Sequence, residues 1–125
     1  MSEKTIGDKL YLKNAKTLAL FNGGVHPAVR SQLPQALIDA GAEGEADVVL
    51  MFALNQAELE QYFPEALQRL GEKGALWVAY LKQTASKATD LTRDSINDWA
   101  KQHGATGVAM ITVDSDWSAL RFKRL

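Results

Sequence analysis

Asp47-Val48-Val49-Leu50-Met51-Phe52-Ala53-Leu54 is an apolar run with one charge at its start. Its length suits a strand and falls short of a typical helix. A strand that is apolar on both faces belongs to a sheet covered on both sides, and such sheets are parallel. Two similar runs flank it. Thr17-Leu18-Ala19-Leu20-Phe21 stops at Asn22-Gly23-Gly24, and Ala75-Leu76-Trp77-Val78-Ala79-Tyr80-Leu81 stops at Lys82.

Helical patterns separate these strands. Pro27 suits the first position of a helix, and Val29, Leu33, Leu37 and Ile38 follow at helical spacing. Pro34 breaks that pattern, leaving two short pieces or a helix followed by a strand at 36–38. Asn55 stands where a cap belongs, with Glu58 three residues on, close to a capping box. Leu59, Tyr62, Phe63, Ala66, Leu67 and Leu70 form one apolar stripe. Pro64 should kink or split that helix, and Gly71 and Gly74 should end it. Thr92 caps a third helix, with Ile96, Trp99 and Ala100 on its inner face and Gly104 past its end. A short N-terminal helix is expected within 5–12, and a polar loop over 82–89.

Residues 107–113 and 117–123 read as the last two strands. Only Asp114-Ser115-Asp116 joins them. A parallel return needs a dozen residues or more, so this pair is antiparallel. Strands alternating with helices imply right-handed crossovers. The expected architecture is a single α/β domain over 1–125, a three-layer Rossmann-like fold. Its sheet is mostly parallel and ends in a C-terminal antiparallel hairpin, a methyltransferase-like layout. Layout of this kind does not fix function.

Composition narrows the function classes. The chain has 125 residues, 46% hydrophobic and 23% charged, as in an ordinary globular protein. Fourteen basic and fifteen acidic side chains give a net charge of −1. That balance lacks the basic excess of a phosphate-neutralising nucleic-acid binder. Lys4, Lys9, Lys13 and Lys16 crowd the start of the chain. Seven acids and no base lie between Ser31 and Gln68, reading as a solvated face or a dock for a basic partner. With no cysteine, disulfides, thiolate catalysis and cysteine-type zinc sites are excluded. The first residues lack the apolar core of a signal peptide. No apolar stretch approaches the ~18 residues of a membrane span. A cytoplasmic protein with no membrane or nucleic-acid partner is expected.

In an open α/β sheet, ligands bind beyond the carboxyl ends of the strands. Residues 22–26, Asn55, 82–89 and Asp114 should gather there. Asn22, Gly23, Gly24 and His26 form a glycine turn into a helix start, read as a sharp turn or an anion contact. The G-x-G-x-x-G and G-x-x-x-x-G-K-[ST] patterns are both missing. His26 sits at the rim of the expected cleft. His103 ends a helix, where the dipole favours a cation. The two histidines have no metal-ligand spacing, and no metal is expected.

Lys82 should stand at the cleft mouth, meeting an anionic ligand or pairing with Asp90 or Asp114. Asp90, Asp94 and Asp98 at helical spacing read as a solvated stripe. Trp117 packs or stacks on a ligand, and Ser118 is available to satisfy the hairpin turn. No G-x-S-x-G elbow or serine–histidine–acid pattern appears.

The segments Gly74 through Lys82, Thr89-Asp90-Leu91-Thr92, and Asp114 with Trp117-Ser118-Ala119-Leu120-Arg121-Phe122 resemble a bacterial family of small α/β proteins, the domain of unknown function 3052 family. The strand from Asp47 and the glutamate-rich helix after it also resemble that family, so the likeness covers 47–125. One departure is Leu81, where the family carries a proline, which bears on the bend at Lys82. The resemblance supports the fold and implies no particular activity.

The expectation is therefore a non-enzymatic domain without cofactor, binding a small anionic molecule or a protein at the carboxyl edge. Asn22, Gly23, Gly24, His26, Lys82, Asp90, Asp114 and Trp117 are its candidate ligand contacts. The alternative is a small methyltransferase-like transferase. A cofactor-binding methyltransferase usually has an acid-x-Gly-x-Gly pattern after the first strand, which Asn22-Gly23-Gly24 does not match.

Overall fold

The computed structural model describes residues 15–40, 44–82, 91–114 and 116–125, with only the backbone at 72–73. The expectations for 5–12, for 83–89 and for Asp90 lie outside these residues. Strand β1 is Leu18–Phe21, followed by a 3-10 turn at Gly23–Val25 and two short helices, α1 (Pro27–Gln32) and α2 (Gln35–Ala40). Residues 36–38 are therefore helical. Then come β2 (Ala46–Ala53), α3 (Gln56–Gln68), β3 (Leu70–Leu81), α4 (Arg93–Lys101), β4 (Ala105–Thr112) and β5 (Trp117–Arg124).

The described strands form one sheet in the order β1-β2-β3-β5-β4. β1 pairs parallel with β2, and β2 with β3. β5 pairs antiparallel with both β3 and β4. The sheet is thus mixed, which corrects the expectation of a mostly parallel one. The short turn forces β5 to run against β4, as expected. Tertiary packing then inserts β5 between β4 and β3 instead of leaving it at an edge, so both its ladders are antiparallel. β4 still runs in the direction of β1, β2 and β3, and the carboxyl ends of these four strands share one rim.

Alternation along β2 splits the core in two. Val49, Met51 and Ala53 face Leu59, Phe63 and Ala66 of α3 and Ile96 and Ala100 of α4. Val48, Leu50 and Phe52 face the other way, toward Val29 and Leu33, with Leu37 and Ile38 packed alongside. The β1-to-β2 and β2-to-β3 connections step the same way across the sheet, yet their helices lie on opposite faces. The two connections therefore have opposite hands, and one departs from the expected right-handed rule.

α3 is continuous despite Pro64. Pro64 is exposed, as is Glu60 one turn earlier, so the carbonyl deprived of its N–H donor faces water. Neither Gly71 nor Gly74 ends a helix; both lie in β3, which starts at Leu70. The β2–β3 register shifts between Ala46 and Val48. A Cβ at Gly74 would lie 2.7 Å from the Asp47 carbonyl oxygen, so only glycine fits that irregularity without displacing backbone.

Candidate functional site

The glycine turn after β1 folds on itself. Asn22 has φ 59°, a left-handed conformation that asparagine tolerates. The N–H groups of Val25 and His26 donate to the Asn22 and Gly23 carbonyls at 3.3 and 3.2 Å. The Asn22 amide crosses to the next strand, donating to the Phe52 carbonyl at 3.0 Å and to Glu58 Oε1 at 2.9 Å. Glu58 also accepts from the Leu54 N–H at 2.9 Å. Asn55 caps α3 through the Glu58 N–H, also at 2.9 Å. The carboxyl ends of β1 and β2 are thus stitched together by the residues expected to meet a ligand.

His26 extends that stitching across the rim. Its Nδ1 accepts from the Val29 N–H at 3.3 Å, capping α1. An acceptor at Nδ1 assigns the ring proton of the neutral imidazole to Nε2. Nε2 lies 2.7 Å from Asp114 Oδ2 and donates to it. Asp114 Oδ1 accepts the N–H groups of Asp116 and Trp117 at 2.9 and 2.8 Å. The imidazole packs against Phe52 and Trp117, with centroids at 5.9 and 5.4 Å.

Burial pushes the Asp114 carboxyl up. The hydrogen bond from His26, those from Asp116 and Trp117, and the electrostatic pull of the His26 ring together outweigh it, and the group lies below its ordinary value. Both ring nitrogens are engaged, so His26 cannot accept a proton at Nδ1 without releasing the cap. His26, Asp114 and Trp117 are therefore brought together and partner one another, while Asn22 spends its amide on Phe52 and Glu58. Gly23 and Gly24 form the turn beneath them.

Lys82 lies elsewhere, on a recess of about 310 Å³ between β3, β5, β4 and the start of α4. The recess is lined by Tyr80, Lys82, Thr92, Arg93, Asp94, Met110 and Ser118. Tyr80 and Ser118 are register partners across β3 and β5, and Ser118 pairs with Thr112 across β5 and β4, so the three residues share one face. The Lys82 N–H donates to the Asp116 carbonyl at 2.8 Å, which fixes where its side chain leaves the sheet. Its ammonium makes no ion pair among the described residues. Arg93 pairs at 3.5 Å with Asp94, and both side chains are exposed. Such a pair is worth little in water.

Tyr80 is 5% exposed. Burial pushes its phenol up, Arg93 opposes that and Asp94 adds to it, so the hydroxyl is a neutral donor near neutral pH. It donates to Met110 Sδ at 3.5 Å, a weak acceptor. Thr92 and Ser95 complete a reciprocal capping box. The N–H groups of Arg93 and Asp94 make no hydrogen bond among the described residues, as befits the first turn of a helix.

Sequence reasoning marked Lys82 but did not set Tyr80, Arg93 and Ser118 beside it. Ser118 does not satisfy the hairpin turn, which Asp114 does instead. The available signal was a lone hydroxyl in the otherwise apolar run Trp117-Ser118-Ala119-Leu120. His103 donates from Nδ1 to the Trp99 carbonyl at 2.7 Å and stacks on the Trp99 ring, a structural role at a helix end. No cluster of three or more metal-ligating side chains occurs among the described residues.

The sequence profile described as "Protein of unknown function (DUF3052)" matches residues 22–125. The chain belongs to that family, and the match reaches further toward the N-terminus than the resemblance over 47–125. No curated protein matches the chain in sequence. Solved structures do match in fold. The mitomycin 7-O-methyltransferase MmcR aligns with a TM-score of 0.65 at 10% identity, covering 91% of this chain and 50% of that one. The ribosomal protein L11 methylase from Lactobacillus delbrueckii subsp. bulgaricus aligns at 0.59 and 12% identity, covering 94% and 73%. A TehB-like SAM-dependent methyltransferase from Corynebacterium glutamicum aligns at 0.54 and 13% identity, covering 96% and 74%. The chain spans half the length of the first of these. At such identities the likeness establishes the fold alone, and the methyltransferase-like layout is the one observed.

Proposed function

We propose that this member of the DUF3052 family is a ligand-binding domain on a methyltransferase-type scaffold, and that it takes a small anionic molecule in the recess beside Lys82. The observation that carries this reading is a pair of cations, Lys82 and Arg93, on one recess at the carboxyl rim, with the solvent-exposed Asp94 the one acid lining it among the described residues. Wall groups that donate hydrogen bonds suit a ligand that accepts them.

Methyl transfer is the second reading, favoured by the fold likeness. The residues after β1 do not fit an S-adenosyl cofactor. Such a ligand belongs in the crevice where the strand order reverses, but β1 is an edge strand among the described residues. The space above β1 and β2 is spanned by Asn22 bonded to Phe52 and Glu58. A cofactor there would have to displace both bonds.

Calorimetry of the full chain with small phosphorylated and carboxylated metabolites, and separately with S-adenosylmethionine, tests the choice. Binding of an anion that weakens about tenfold in Lys82→Ala or Arg93→Ala is expected, in line with losing one charge-assisted hydrogen bond. Micromolar binding of S-adenosylmethionine would reverse the order of the two readings.

A further inference from the structure

We infer, resting on the anionic-ligand reading, that the ligand's anionic end is a phosphoryl group and that the Ser118 hydroxyl, on the sheet surface of the Lys82 recess, is its specificity-determining donor. Ser118 is 5% exposed, the one buried polar residue among those described. Its hydroxyl makes no hydrogen bond with any described residue, yet Ser118 lines the recess. The residue is buried as a whole, yet its hydroxyl is not sealed off from the recess, so the acceptor atoms of a ligand can reach it. Tyr80, its register partner, spends its hydroxyl on a thioether sulfur. Two hydroxyls therefore stand side by side on the sheet without a strong acceptor.

The chemistry of the wall selects among anions. Lys82 and Arg93 supply two positive charges. Ser118 and Tyr80 supply two neutral donors, and the first turn of α4 adds backbone N–H groups. A phosphomonoester brings a charge of about −1.5 to −2 and three acceptor oxygens arranged in three dimensions. A carboxylate brings one charge and two coplanar oxygens, leaving one cation and at least one hydroxyl unanswered. Asp94 lies on the same wall, but it points largely into water and is paired with Arg93. A recess of about 310 Å³ is at the small end of ligand sites, which suits a compact phosphorylated metabolite better than a dinucleotide.

Proton–nitrogen NMR of the full chain, titrated in parallel with inorganic phosphate, glycerol 3-phosphate and acetate, tests this. The two phosphates should shift the amides of Ser118, Arg93 and Asp94 saturably, and acetate should not. Ser118→Ala should weaken phosphate binding about tenfold without lowering the melting temperature, because the hydroxyl holds nothing in the fold. Lys82→Met should also weaken phosphate binding about tenfold. Phosphate bound equally well by Ser118→Ala would overturn the role of Ser118. Acetate bound in place of phosphate would overturn the phosphoryl assignment and leave the anionic reading standing. A chain indifferent to all three anions would overturn both.

Discussion

At the scale of single residues, the His26–Asp114 pair carries the tightest polar geometry on the rim. The His26 side chain is 12% exposed and that of Asp114 39%, so removing the carboxylate leaves a mostly buried imidazole N–H and two backbone N–H groups to find water. Asp114→Ala should cost about 1–2 kcal/mol, the lower part of the range for stranding a buried donor. The carboxyl lies below its ordinary 3.8 in the folded protein. A depressed folded value means that its contribution is complete above the unfolded value and fades as pH falls through 3.8 toward the folded one. Urea unfolding should therefore show a wider gap between wild type and Asp114→Ala at pH 7 than at pH 3. An equal gap at both would place the pair's stabilisation elsewhere.

At the scale of elements, α3 and α4 show how local rules bend. The capping residues Asn55 and Thr92 act where the sequence places them. Pro64 does not split α3, because Phe63 and Ala66 are buried on the sheet and Phe63 packs edge-on against Trp99 and Phe122. Burial of that face outweighs a missing N–H on the wet side. An interior proline costs a helix about 3 kcal/mol, offset by up to ~1 kcal/mol through a stiffer unfolded chain. Pro64→Ala should accordingly stabilise the protein by roughly 2 kcal/mol in denaturant titration. An unchanged midpoint would mean that the helix already bends to relieve the proline.

Across the whole molecule, β2 and β3 are hydrogen-bonded on both sides, whereas the four-residue β1 and the eight-residue β4 are edges among the described strands. β4 also exposes Val108 and Met110. Amide exchange follows such differences in local protection. The slowest exchange is expected in 48–53 and 75–81, with β1 and β4 faster under the same conditions. Protection in β4 equal to that of β2 would show that its edge is covered in solution. The recess proposed to bind a ligand lies on this less protected side, between β3, β4 and α4, while the β1 side is closed by its own side chains.

Local sequence was enough for several features of this protein. A run apolar on both faces can rest only inside a covered sheet. A cap must precede its helix. Three residues can join only antiparallel neighbours. These rules depend on groups a few positions apart, so 47–54, Asn55, Thr92 and the terminal hairpin were legible. Which strand lies beside which is a different matter. Inserting β5 next to β3 brings Ser118 level with Tyr80, and it sets the sheet's mixed character. Putting α1 and α2 on the face opposite α3 carries His26 across 88 positions to Asp114. Periodicity says which face of a strand is apolar but not what covers it. Only the packed molecule, where every apolar face must find a partner at once, decided that His26, Asp114 and Trp117 would partner one another and that Ser118, read from sequence as a turn residue, would face a recess.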